Sequence, residues 1–334
     1  MKPDSRDALT LALNRGIAKP ESKGSWPFYN AAPLPHVDVD WKHALVCEQQ
    51  FRPVYLVLKS EGYNVSQALG EIEGVNNGAI LLLGRNRLWN QHQIIRAWNQ
   101  MPPGGRLIIG GNKTDGIGAT RKWFSQQTEI GDSMSKHHAI VFWADKSTQT
   151  NLPSVENLKK SEGYLLSEGG FSSAGPDKGS RLLVEHFDNR ISGKVADLGA
   201  GWGFLSRELL EKSDRIDLVD LFEADFSSLQ LAEQNIGKVP GREISFHWCD
   251  ITSEFSKKPY DWVVMNPPFH SGRAANPQLG KQFIEVAAST LPRGGKLLMV
   301  ANRNLPYEQT LEKNFRRFEK LSEQDGFKVI EATR

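Results

Sequence analysis

The chain has 334 residues, 39% hydrophobic and 24% charged, which predicts two ordinary globular domains and excludes a disordered or fibrous chain. A formal net charge of only +2 excludes a uniformly basic nucleic-acid binder, so any RNA contact must come from local clustering. Two distant cysteines, Cys47 and Cys249, exclude a disulfide scaffold and a zinc cluster and point to a reducing cytoplasm. The opening segment MKPDSRDALTLALNRG lacks an apolar h-region, so no secretory signal is expected, and no apolar run reaches the length of a membrane span.

In chain order, Lys19–Pro35 is rich in Pro, Gly and Ser and is expected to be a loop. Val54–Leu58 reads as a short strand, and Ala79–Leu83 as a strand of a parallel sheet buried on both faces. Asn90–Met101 reads as a helix with Ile94, Ile95 and Trp98 on one face. It stops at Pro102–Gly105, and Leu107–Ile109 is the next strand. Strands alternating with helices give an α/β fold with a parallel sheet. Arg85, Arg87, Arg96, Arg106, Lys113, Arg121 and Lys122 are the candidate RNA-contacting cations of this half; ordinary solvated side chains are the plainer reading.

The second half repeats part of the first. MPPGGRLIIGGNK at 101–113 matches LPRGGKLLMVANR at 291–303, a displacement of 190 residues. Each places a helix end, a glycine turn and an apolar strand in the same order, which favours two copies of one α/β fold. The expected domains are 1–150 and 155–334, divided near Asn151–Asn157. A displacement of 190 puts the counterparts of the two motifs described next near Leu9–Leu13 and Asn76–Leu83, where neither motif occurs. The N-terminal copy is therefore expected to be degenerate, a scaffold or substrate-holding domain.

In the second half, Gly179–Phe187 reads as a first helix, preceded by a Gly/Ser/Pro-rich segment that is either a loop over a cofactor, starting from Phe171, or a plain linker. KVADLGAGWGFLS then runs a strand, Val195–Leu198, into Gly199, Ala200, Gly201, Trp202 and Gly203 before a helix. Glycines permit a tight turn and close approach of a ligand, and a helix N-terminus presents free N–H groups. Asp197 just before the loop would repel a pyrophosphate but suits the ammonium of a methionine moiety, which favours a methyltransferase over a dehydrogenase. RIDLVDLFEAD is a strand ending in acids. Glu223 is the first choice to accept from ribose hydroxyls, Asp220 the second because it lies inside the strand, and Asp225 caps the helix from Phe226 to Asn235. ISFHWCDIT is a third strand. Asp250 at its end is either a turn residue or an acceptor for an adenine amino group, with Ile251 covering the ring.

YDWVVMNPPFH carries the most specific chemistry. A strand, Trp262–Met265, stops at Asn266, and Pro267 and Pro268 forbid its continuation. The Asn266 carbonyl and a backbone carbonyl of this turn can accept from an –NH2 group and aim its lone pair at a methyl donor. Phe269 can stack on a flat substrate. No strong general base is required, because the proton can leave after transfer.

Three segments together resemble the ribosomal RNA guanine-N2 methyltransferases, the family that contains small-subunit methyltransferase C and its large-subunit relative. They are F-S-x-x-G-x-D-x-G-S at Phe171–Ser180, D-x-G-x-G-x-G at Asp197–Gly203 and N-P-P-F-H at Asn266–His270. GGKLLMVANRNLPYEQTLEKNF at 294–315 and GFKVIEATR at 326–334 extend the likeness to the end of the chain. The resemblance implies two tandem Rossmann-like class I methyltransferase domains, only the C-terminal one binding S-adenosylmethionine. It implies Asp197, Gly199, Gly201, Glu223 and Asp250 as cofactor contacts; Phe171, Ala200, Gly203, Ile251 and Asn266 lie in the same motifs and are counted with them. By the same likeness Asn266, Pro267, Pro268 and Phe269 hold a guanine of ribosomal RNA or of a ribosomal subunit. No metal and no membrane are expected. Ala174 departs from the acid frequent in the family, and Ala200 and Trp202 vary the glycine loop. Methylation of adenine N6, a protein glutamine amide or a small amine is the alternative. An inactive RNA-binding assembly protein is a further one.

Overall fold

The computed structural model describes residues 2–20, 26–70, 77–147, 151–153, 158–167, 175–255, 258–268, 270–271, 274–275 and 277–334. They form two compact units, one built on residues 1–159 and one on the described residues from Lys160 onward.

The first unit carries seven strands, β1 (Trp26–Tyr29), β2 (Leu45–Glu48), β3 (Asn64–Ser66), β4 (Gly78–Leu82), β5 (Arg106–Asn112), β6 (Asp132–Lys136) and β7 (Ala139–Asp145). A hairpin of β8 (Leu158–Ser161) and β9 (Tyr164–Ser167) follows. The second unit then carries β10 (Gly193–Leu198), β11 (Ile216–Glu223), β12 (Glu243–Trp248), β13 (Trp262–Met265), a small ribbon of β14 (His270–Ser271) and β15 (Ala274–Ala275), β16 (Lys296–Asn302), β17 (Arg317–Gln324) and β18 (Phe327–Thr333). Helices of the first unit are α1 (Ser5–Asn14), α2 (Val39–Ala44), α3 (Arg52–Ser60), α4 (Arg87–Gln100) and α5 (Ile117–Phe124). Those of the second are α6 (Lys178–Val184), α7 (Phe204–Lys212), α8 (Phe226–Ile236), α9 (Pro277–Thr290) and α10 (Glu308–Asn314).

The two sheets share one topology. Their orders are β3-β2-β1-β4-β5-β7-β6 and β12-β11-β10-β13-β16-β18-β17, parallel except for the last two antiparallel strands of each. Each sheet is buried on both faces by apolar clusters, which is what the continuous runs of β4 and β16 require. Strand order reverses between β1 and β4 and between β10 and β13. Such a reversal opens a crevice at the carboxyl ends of the strands, where open α/β sheets bind ligands. The displacement of 190 residues holds for α4 and α9 and for β5 and β16, so both halves keep one spacing there.

Three expectations are corrected. Trp26–Tyr29, expected within a loop, is β1, a central strand with all four residues buried. Pro27 masks it, because proline normally argues against a central strand; it is accommodated near the strand start. Val54–Leu58, expected to be a strand, lies inside α3, which buries Leu58 on one face and begins at a proline in its first turn. Leu9–Leu13 lies in α1 and is not the counterpart of the glycine loop. Sheet register gives the true one: Phe28 pairs with Ile80 as Asp197 pairs with Val264, and Ile80 pairs with Ile108 as Val264 pairs with Leu298. Phe28 therefore occupies the place of Asp197, and Asn30–Ala32 that of the glycine loop. The counterpart of Asn266 is Leu82, within the expected window.

Candidate functional site

The crevice of the second unit lies between the loop after β10 and the turn after β13. Gly199 and Ala200 donate their N–H groups to the Phe222 carbonyl at 2.9 and 3.1 Å, folding the loop back over β11. Gly199 has a φ of +76°, and a Cβ there would stand 3.1 Å from the ring of Phe283. Its next neighbour is Pro268 at 3.9 Å, so glycine loop and proline turn abut. Gly203, φ +89°, would press a Cβ to 3.0 Å of Ala232 on α8. Over Gly201 a Cβ would meet nothing within 4 Å, which leaves room for a ligand. Trp202 is buried edge-on to Tyr164 at 5.1 Å and anchors the loop from below. Asn235 fastens it further, donating to the Trp202 carbonyl at 2.9 Å.

Two acids flank this loop. Asp197 is fully buried at the end of β10, and Ser206 of α7 donates to its Oδ2 at 2.6 Å. Its Oδ1 has no hydrogen-bond partner among the described residues. Burial, with the nearby Glu223 charge, pushes the Asp197 carboxyl up to about 7. Glu223 ends β11; its Oε2 accepts from Gly201 N–H and its Oε1 from Asp225 N–H, both at 2.8 Å. Burial raises its carboxyl to about 7 as well. Asp225 caps α8 through the Ser228 N–H at 2.8 Å, as its position in the sequence implies. Asp220 is spent elsewhere: it is buried inside β11 and accepts from the Tyr260 hydroxyl at 2.5 Å, with His247 Nε2 at 3.1 Å. That leaves Glu223 as the acid of β11 at the crevice.

Asp250 follows β12 and closes a turn, accepting from Thr252 N–H at 3.0 Å and the Ser253 hydroxyl at 2.8 Å. Ile251 is 95% buried in the apolar cluster that also holds Phe222 and Met265. Pro267 is buried and Pro268 half-buried, while Phe171 and Phe269 lie outside the described residues. Asn266 donates its side-chain N–H2 to the Ser180 hydroxyl at 2.9 Å and to the two Asp177 carboxylate oxygens at 3.2 and 3.3 Å. A carboxylate only accepts, so the Asn266 amide nitrogen must face it. The carbonyl Oδ1 is thereby left for a ligand.

The crevice of the second unit thus presents a buried carboxylate oxygen without a partner, a second carboxylate at a strand end, open space over Gly201, and an amide carbonyl. These groups fit S-adenosylmethionine, whose ammonium and ribose hydroxyls all donate. The N–H groups at the start of α7, which has no side-chain cap, add donors for its carboxylate. No group of His, Cys, Asp or Glu able to hold a metal ion occurs among the described residues. No helix among them is long and apolar enough to cross a membrane.

Sequence reasoning missed the supports. Asp177, Ser180 and Ser206 lie within the motifs and Asn235 at a helix end, but nothing in the sequence marks their side chains as supports. Of the seven candidate cations, Arg96 is bound to Glu48 and Arg106 to Asp145. Arg85, Arg87 and Lys113 are exposed, without an ion pair among the described residues, and follow the carboxyl ends of β4 and β5, Arg87 as the first residue of α4. Lys136, exposed at the end of β6, lies at the same end of the sheet, with Ala139 of β7 between it and Asn112.

Comparison with known proteins gives the family and the fold. Residues 164–331 match the model of the methyltransferase small domain. A ribosomal RNA small subunit methyltransferase C from Proteus mirabilis is 36% identical over 238 residues, 69% of each chain. Its namesake from Pectobacterium atrosepticum is 30% identical, covering 73% of this chain and 70% of that one. A T. thermophilus 16S rRNA N2 methyltransferase solved with AdoMet and guanosine superposes with a TM-score of 0.80. That likeness covers 98% of this chain and 92% of that one at 23% identity, and so speaks for the two-unit fold.

Proposed function

The chain belongs to the family of ribosomal RNA small subunit methyltransferase C, and on that premise we propose that it methylates the exocyclic N2 amine of a guanine in small-subunit ribosomal RNA, using S-adenosylmethionine. The observation that carries the chemistry is Asn266, whose amide nitrogen is tied to Asp177 and Ser180 and whose carbonyl is free to accept from an amine. When bound, S-adenosylmethionine supplies an electrophilic methyl group. Asp197 Oδ1 holds its ammonium and Glu223 its ribose hydroxyls. Asp250, whose carboxylate already closes a turn, retains lone pairs for an adenine amino group.

Asn266 Oδ1 accepts one amine hydrogen of the guanine, and the carbonyl of the proline turn accepts the other. This turns the nitrogen lone pair out of the ring plane and toward the methyl. As the N–C bond forms and the S–C bond breaks, positive charge grows on the amine, and both carbonyl dipoles stabilise it. The proton leaves afterwards to water. A fixed acceptor pair is worth more here than a base, because the product ammonium is strongly acidic.

The first unit holds the RNA in this reading. Arg85, Arg87, Lys113 and Lys136, at one end of its sheet, can meet phosphates without sequence preference. Ribosomal RNA as substrate also implies a cytoplasmic place of work. The test is to incubate small subunits from cells lacking this protein with methyl-labelled cofactor and to analyse the nucleosides. Label in N2-methylguanosine is expected; label in adenosine or in protein overturns the reading.

A further inference from the structure

We propose that Asp177, with Ser180, is a positioning group for methyl transfer, setting the amide of Asn266 and polarising its carbonyl. The inference rests on the reading of Asn266 as the acceptor for the substrate amine. Three side chains form a closed ring at the base of the crevice. Asn266 Nδ2 donates to Ser180 Oγ at 2.9 Å and to Asp177 Oδ2 at 3.2 Å, and Ser180 Oγ donates to Asp177 Oδ2 at 2.7 Å. Asp177 is also the N-cap of α6, accepting from Ser180 N–H at 3.0 Å. Its carboxylate is thereby fixed by the helix it starts, 89 residues before the asparagine it serves.

The local sequence is shaped to keep that geometry. A Cβ on Gly179 would stand 2.8 Å from the ring of Phe327 on β18 and 3.1 Å from Asp177 Oδ1. The first turn of α6 is thus pressed directly against the sheet, with no slack for the carboxylate to swing away. An asparagine without such a partner can present either end of its amide to the substrate, and only the carbonyl end accepts from an amine. A carboxylate on the nitrogen end excludes the wrong orientation. It also draws the amide N–H hydrogens, which raises electron density on Oδ1 where positive charge develops. Asp177 touches neither the cofactor nor the base in this role, and acts only through Asn266.

The test is Asp177→Asn, because asparagine caps a helix as well as aspartate does. With its Oδ1 held by the Ser180 N–H of the cap, its amide nitrogen takes the place of Oδ2 and cannot accept from Asn266 or Ser180 there, so the hold on the orientation is loosened. kcat is expected to fall about 30- to 100-fold, less than the roughly 10²- to 10³-fold found when a fixed dipole is itself lost, because Asn266 stays and only its setting is released. KM for RNA, cofactor Kd and thermal unfolding should stay within about twofold, since no contact with either ligand is removed. In an Asn266→Ala background, followed by single turnover, Asp177→Asn should change the residual rate little, because the two groups act as one unit. Ser180→Ala, which leaves the cap intact, should lower kcat several-fold and serves if Asp177→Asn fails to fold.

An unchanged kcat in both variants overturns the proposal. So does a loss of cofactor affinity that tracks the loss of rate, or full additivity with Asn266→Ala. The rates are scored on whichever nucleoside the wild-type protein labels. A wild-type product other than N2-methylguanosine would therefore sink the substrate reading while leaving the Asp177 effect measurable.

Discussion

The two units are the same fold with different ends to their strands. Where β10 finishes in Asp197, β1 carries Phe28, buried and apolar. Where β11 finishes in Glu223, the register places Gln49 after β2. Both side chains do the same mechanical work: Glu223 accepts from Gly201 and Asp225 N–H, and Gln49 donates to the Ala31 carbonyl at 2.6 Å while accepting from Phe51 N–H at 2.8 Å. Only the first retains a charge to offer. The loop after β3, the counterpart of the one bearing Asp250, is closed by Arg96, which clasps the buried Glu48 and the Leu69 carbonyl. The comparison teaches that the strand reversal supplies a crevice, whereas a handful of side chains at strand ends decides whether it does chemistry.

Four changes break or sharpen this contrast. Asn266→Ala should lower kcat about 10³-fold, the order expected for removing one fixed dipole from a transition state, with cofactor Kd nearly unchanged. Rate and titration on the same preparation check both halves of that statement. Arg96→Met leaves the carboxylate of Glu48 buried without its cation, holding only the Leu69 N–H, and should destabilise the first unit by about 3 kcal/mol without touching cofactor affinity. Denaturant unfolding with and without cofactor separates the two effects.

Gln49→Glu gives the first unit the acid it lacks, yet sets a carboxylate against the Ala31 carbonyl. It should cost roughly 2 kcal/mol of stability and create no second cofactor site. The smallest effect is on pH. Asp197 and Glu223 are both pushed up to about 7, so both keep their protons to a higher pH in the free protein than ordinary carboxyls do. Their ordinary values lie near 4. Each carboxyl therefore subtracts stability progressively as pH rises from about 4 to about 7, and the loss is complete above that. Cofactor donors reward the charged forms, so each carboxyl should contribute an about tenfold fall in affinity between pH 7.5 and 6 by calorimetry. Asp197→Asn should flatten that fall.

Asp197, Glu223 and Asn266 were legible because each sits within a residue or two of a strand end, where sequence order alone fixes the place. The duplication was legible where helix and strand lengths match, as in α4 and α9. It was misread at the first strand because a constant displacement fails once the intervening loops differ in length, and because Pro27 hid β1. Val54–Leu58 was misread for a related reason: a short run of β-branched and apolar residues looks alike in helix and strand. The clasp of Asp177 on Asn266 joins positions 89 apart and leaves no periodic trace, so only the folded chain reveals it.

The most direct test of the claim that one of two equal folds holds all the chemistry is a calorimetric titration of the whole chain with S-adenosylmethionine, for the wild type and for Asp197→Ala. One cofactor per chain, and no detectable binding in the variant, is the predicted result. Two cofactors per chain, or one remaining after Asp197→Ala, would place a working site in the first unit and contradict the account.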